Sequence, residues 1–111
     1  MDKQQWLYLL RLRRPEMLQT GPTAEEQAAM GRHAEYLATL ATAGVLVFAG
    51  RTQVTEAPIG LALLLTDGEA QARDIMENDP AVREGVMQAE LSPYRVAFGN
   101  ADSFRMALPS A

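Results

Sequence analysis

The chain contains no cysteine, which excludes a disulfide framework, a thiolate nucleophile and Cys-ligated zinc or iron–sulfur sites. It has one histidine, His33, so a single chain cannot build a multi-His metal site. Basic residues are few: 10 Lys and Arg stand against 14 Asp and Glu, for a net charge of −4. That balance argues against coating nucleic acid or an acidic membrane surface, since both need clustered cations, and neither is expected as a partner. The apolar run Leu61–Leu65 is far too short to span a bilayer. The opening Met-Asp-Lys lacks a basic-then-apolar signal pattern, so a cytoplasmic protein is expected. Acidic residues are scattered without metal-ligand spacing, and Ser92 and Ser103 have no second histidine to activate them. No metal and no cofactor are expected.

What is present suits one globular domain. The chain has 111 residues, 48% of them hydrophobic and 22% charged, without repeat, low-complexity tract or linker. A single domain over 1–111 is expected, with a core from about 5 to 98 and a short, weakly specified C-terminal tail. The period of two predicts a first strand over Gln5 to Arg13, with Trp6, Tyr8 and Leu10 on one face and Leu7 and Leu9 on the other. Glu16 to Pro22 reads as a loop. A helix then runs from the capping box Thr23–Glu26 to a stop at Gly44. At about 100° per residue, Met30, His33, Ala34, Leu40 and Ala41 fall within about 60° of Leu37, so His33 lies inside the apolar stripe. Val45 to Ala49 and Ile59 to Leu65 read as buried strands. A second helix spans Glu69 to Glu77 and a single turn Pro80 to Glu84. Val86 to Phe98 reads as the last strand, bulged or at an edge because of Pro93.

A βαββαβ order of this length predicts an α+β, ferredoxin-like antiparallel sheet with both helices on one face. The strands are nevertheless apolar on both faces. An exposed apolar sheet face of several hundred Å² is unusual in a monomer, so the second face is expected to pack against another copy in a homodimer.

His33 suits two roles: a packed histidine at the core edge, or an imidazole for acid/base work or ligand binding. Asp79, directly before Pro80, is well placed to cap the short turn. A carboxylate has lone pairs enough to cap and to serve a second partner. Arg11, Arg13, Arg14 and Arg51 are candidates for binding an anionic ligand, and Tyr8, Tyr36 and Tyr94 for donating protons, although packing explains the tyrosines as well. The methionines read as fillers.

The stretch Arg32-His33-Ala34-Glu35-Tyr36-Leu37-Ala38-Thr39-Leu40, with Gly44 and Phe48-Ala49-Gly50 after it, resembles the helix and second strand of the YCII-related (YciI-like) domains. So do Gly60 before a hydrophobic strand, Thr66-Asp67-Gly68-Glu69-Ala70, Asn78-Asp79-Pro80-Ala81-Val82, Gly85-Val86 and Leu91-Ser92-Pro93-Tyr94-Arg95-Val96. The resemblance runs from about Trp6 to Phe98. It implies a dimeric α+β barrel in which two ferredoxin-like sheets face each other. It also implies a catalytic His–Asp dyad, falling on His33 and Asp79, in a pocket between helix and sheet. Arg11, Arg51, Tyr8 and Tyr94 are then the candidate substrate-binding residues. One branch of the family eliminates HCl from a chlorinated hydroxyquinol. This chain differs at Arg51, where many relatives carry Pro after the Gly, which changes the loop at the pocket mouth.

The dyad has a physical logic. A carboxylate that accepts N–H from one imidazole nitrogen fixes the tautomer and makes the other nitrogen more basic. The expected function is cofactor-free proton transfer, elimination or isomerisation on a small aromatic or carbonyl compound. The alternatives are a non-catalytic small-molecule-binding or regulatory dimeric module, a bare dimerisation domain with a filled cavity, and a cofactor-free oxygenase of a related barrel type.

Overall fold

A computed structural model describes residues 2–110. Four strands, β1 (Gln4–Leu12), β2 (Leu46–Arg51), β3 (Gly60–Thr66) and β4 (Met87–Pro93), form one sheet in the order β2-β3-β1-β4, and all its pairings are antiparallel. The helices are α1 (Met17–Thr20), α2 (Ala24–Thr42), α3 (Glu69–Asn78), α4 (Pro80–Arg83) and α5 (Ala101–Ala107). This is the ferredoxin-like α+β architecture that the element order predicts. The core lies between the sheet and helices α2 and α3, around Tyr8, Leu10, Leu46, Ala62, Leu64, Ala72 and Met76. No helix is long and apolar enough to cross a membrane among the described residues.

Helix α2 begins where the capping box requires. The Thr23 hydroxyl accepts from the Glu26 backbone N–H at 3.1 Å, and the Glu26 carboxylate accepts from the Thr23 N–H at 2.8 Å. Arg14 reaches the same carboxylate from the end of β1 at 2.6 and 2.9 Å. These bonds, the Arg14 contact foremost, pull the Glu26 pKa down to about 2. The buried face of the helix differs from the expected one. Ala34 and Ala41 are exposed, while Ala29 is fully buried and Tyr36 half-buried. The buried stripe is therefore rotated by about 40°, because Tyr36 anchors it: its hydroxyl donates to the Ile75 carbonyl in α3 at 2.7 Å. The rotation brings His33 to the middle of the stripe.

Other boundaries differ from expectation, among them the end of β2, which runs on to Arg51 instead of stopping at Ala49. The segment read as a loop contains the short helix α1. β4 ends at Pro93, not Phe98, because proline has no N–H for the ladder; Tyr94 and Val96 then bond only to Gln5, through its carbonyl and side chain. The tail is not unstructured. Asn100 caps α5 by accepting from the Ser103 N–H, and the Phe104 ring tilts against Phe48 at 6.2 Å between centroids. Residues Val96 to Phe104 thus cover part of the helix-free sheet face, over Phe48 and Leu63.

One irregularity positions the site. Leu46 pairs with Leu64 but Phe48 with Leu63, so Val47 is an extra residue in β2, a β-bulge. Beyond it the alternation is reset. Ala49 pairs with Ala62, and Arg51 with Gly60, which pairs in turn with Leu10. Cross-strand partners share a face. Arg51 therefore lies on the helix-covered side with Leu10, although simple alternation from Leu46 would put it on the other.

Candidate active site

Asp79 sits at the junction of α3 and α4. Its backbone is extended, φ −60° and ψ 124°, as a cap requires. Pro80 occupies the first helical position, so the first donor to satisfy is the Ala81 N–H, and Asp79 Oδ1 accepts it at 2.9 Å. The cap role is only part of what the side chain does. The His33 Nδ1 lies 2.7 Å from Oδ1 and 2.9 Å from Oδ2, and the Tyr8 hydroxyl donates to Oδ2 at 2.8 Å. The carboxylate is wholly buried, as is Tyr8.

These contacts define a direction. An ionised carboxylate only accepts hydrogen bonds, so the bonded Nδ1 carries the proton, and in the neutral ring Nε2 bears the free lone pair. The His33 side chain retains 13% of its exposure and lines a cavity of about 340 Å³ between α2 and the sheet. Tyr8 is held firmly neutral: burial, and next the adjacent Asp79 charge, push its pKa well up from 10. It is a permanent donor to Asp79. Burial and the Asp79 charge likewise raise the pKa of Tyr36.

The cavity walls are apolar, with Leu10, Met30, Leu37, Leu61 and Met87 prominent, and among the described residues the only lining side chains with an ionisable group are His33 and Arg51. Of the other expected substrate contacts, the structure brings none to this wall. Tyr8 lies beneath it, behind Asp79. Arg11 alternates to the opposite sheet face from Leu10, lines a separate depression beside Ala57 and Pro58, and approaches Glu90 at 3.8 Å. Tyr94 follows the Trp6–Pro93 end of the sheet, whereas the cavity opens at the end marked by Leu12 and Met87. Arg14 is engaged by Glu26. The role of Tyr8 as a support for the carboxylate was missed in the sequence; its signal was a tyrosine in the middle of an apolar strand face, where a hydroxyl must find a partner. Among the described residues, no group of three or more His, Cys, Asp or Glu side chains is arranged to hold a metal ion.

Fold and site together define a ferredoxin-like α+β protein in which a buried carboxylate, Asp79, is paired with a partly exposed imidazole, His33, at an apolar cavity. The chain belongs to the YCII-related domain family, whose model matches residues 7–94. Among solved structures it is similar to 5-chloro-2-hydroxyhydroquinone dehydrochlorinase (TftG) from Burkholderia phenoliruptrix AC1100, in complex with 2,5-dihydroxybenzoquinone. The identity is 16%, the TM-score 0.60, and the match covers 83% of this chain and 95% of that one. It is also similar to SnoaB, a cofactor-independent oxygenase from Streptomyces nogalater, at 12% identity and a TM-score of 0.48, over 91% of this chain and 99% of that one. The comparison with curated proteins finds no match.

Proposed function

We propose that this protein is a cofactor-free acid–base catalyst acting on a small aromatic or carbonyl compound, with His33 as the base and Asp79 as its positioning residue. The observation that carries this reading is the chain Tyr8–Asp79–His33, which ends at a free imidazole nitrogen in an apolar cavity. Nε2 takes a proton from an acidic C–H or O–H of the substrate, and the imidazolium forms against the Asp79 carboxylate. The electron pair left behind is delocalised into a carbonyl or ring, or expels a leaving group from the neighbouring carbon. The chemistry named for the dehydrochlorinase, HCl loss from a chlorinated hydroxyhydroquinone, is of this kind and supports the class, not the substrate. The reading includes a cytoplasmic homodimer joined through the helix-free sheet face.

Asp79 also caps α4, which favours a second reading: a binding module whose His–Asp pair is structural. Halide release and solvent-deuterium incorporation, measured over a panel of halogenated hydroxyquinols and small 1,3-dicarbonyls, separate the two. The expected result is turnover that falls at least about 100-fold in His33→Gln, since general-base catalysis contributes about 10²–10⁴-fold. Equal rates in both proteins overturn the catalytic reading.

A further inference from the structure

We infer that the cavity beside His33 takes a compact carboxylic acid, its carboxylate paired with the Arg51 guanidinium and its apolar body lying toward His33. This rests on the proposed function for the identity of the working cavity and adds the chemical class of its ligand.

Three observations converge. The first is register. The bulge at Val47 sets Arg51 in one cross-strand row with Gly60 and Leu10, on the helix-covered face. Successive residues on one face of a strand are about 6.8 Å apart and neighbouring strands about 4.8 Å apart, so Arg51 stands one step along the sheet and two strands across from Tyr8, which holds Asp79. The cavity lies over that interval, lined by His33 at one side and Arg51 at the other.

The second is space. Gly60, between Leu10 and Arg51, lines the cavity. A Cβ there would stand 3.3 Å from the Leu10 Cβ and 3.5 Å from its Cδ1. The missing side chain leaves the sheet surface open beside the guanidinium.

The third is charge. The molecule is acidic, at −4, yet the one permanent charge lining the cavity is a cation. Arg11, Arg14, Arg32, Arg73 and Arg105 each have a carboxylate partner within 4.0 Å. Among the described residues Arg13, Arg51, Arg83 and Arg95 have none, and of these Arg51 is the one that lines the cavity. A guanidinium at an apolar cavity, free of internal partners, is matched by a planar carboxylate that accepts two parallel N–H bonds.

The test is a pair of probes of nearly equal shape. Benzoate and benzamide are titrated into the full-length protein at fixed ionic strength, and binding is followed through the Gly50 and Gly60 amide resonances and the ring resonances of the single histidine. Benzoate is expected to bind about tenfold tighter than benzamide, the scale of a charge-assisted pair at a partly open site. The preference should weaken as salt rises, vanish in Arg51→Gln and persist in Arg51→Lys in reduced form. It should also persist in His33→Gln. That variant separates the two readings: loss of turnover tests the base, while the anion preference tests Arg51 alone. Equal affinity for the two probes, a preference that survives Arg51→Gln, or no saturable binding of benzoate at millimolar concentration overturns the inference, whatever the His33 variant does to turnover.

Discussion

Asp79 carries three partners on two oxygens with no access to water, so its substitutions separate capping from chemistry. Asp79→Asn keeps an oxygen for the Ala81 N–H but removes the charge that stabilises an imidazolium. The protein is expected to fold while its turnover falls about 10–100-fold or more, the usual effect of losing a histidine's carboxylate partner. Tyr8→Phe removes a donor to that carboxylate without opening a cavity and should cost about 1–3 kcal/mol in urea unfolding. Tyr8 also predicts a pH dependence. Burial and Asp79 raise its folded pKa above the ordinary 10, so its stabilising contribution is complete below pH 10 and is lost as pH rises beyond it. Unfolding titrations of the wild type should show stability falling above pH 10, with a shallower fall in Tyr8→Phe; identical slopes would remove Tyr8 as a source. At this scale the sequence was readable where local geometry decides. Asp before Pro announces a cap, and a lone His on an apolar stripe announces an unusual environment. It did not disclose that Tyr8 serves Asp79, because the two are 71 positions apart and only the packed fold brings them together.

Elements begin and end where backbone donors find partners. The α2 start was legible from Thr23 and Glu26 because both halves of the capping box are local. The third partner, Arg14, was not, and it has a measurable consequence. The folded Glu26 pKa is depressed from 4.5 to about 2, first by Arg14 and then by the Thr23 N–H. A depressed carboxylate contributes stability that is present above its unfolded pKa and disappears as pH falls through the folded one. The contribution should therefore fade between about pH 4.5 and 2. In Arg14→Ala most of that acid-side slope should be gone, as followed by circular dichroism at 222 nm; an unchanged slope would show that Arg14 does not hold Glu26. The bulge in β2 lay beyond sequence reading altogether. Val45 to Ala49 is apolar throughout, so nothing in its pattern marks the point where alternation slips. That slip carries Arg51 to the cavity. Gly60 stands opposite it, close against Leu10, and its replacement should report on the same row: Gly60→Val places branched carbons against Leu10, narrows the cavity and is expected to abolish turnover even if the sheet forms. Retained activity would place the reaction elsewhere.

At the scale of the whole molecule, assembly is expected to turn on the helix-free sheet face. The two-sided apolarity of β1 and β3 is visible in the sequence, but the chain answers part of it internally: Phe104 and its neighbours cover Phe48 and Leu63. The cover itself then exposes apolar side chains, Phe98 at 96% and Met106 at 84%, and α5 makes no close backbone contact with any strand or other helix. An arm of this kind gains most by packing on a second copy, which leads to the expectation of a twofold homodimer at tens of micromolar in sedimentation velocity. Fully burying a phenylalanine is worth about 1.5–3 kcal/mol, and a twofold axis counts every contact twice. Phe98→Asp should therefore weaken association by several orders of magnitude while leaving the protomer folded, since Phe98 contributes almost no buried surface to its own chain. The melting temperature of the wild type should rise with protein concentration and that of Phe98→Asp should not, because only the wild type unfolds from an assembled state in that range. A wild-type protein that sediments as a 12.1 kDa monomer at these concentrations would leave the exposed face without its partner and remove the dimer from the proposed function, with the His33 cavity, which lies on the opposite side of the sheet, unaffected.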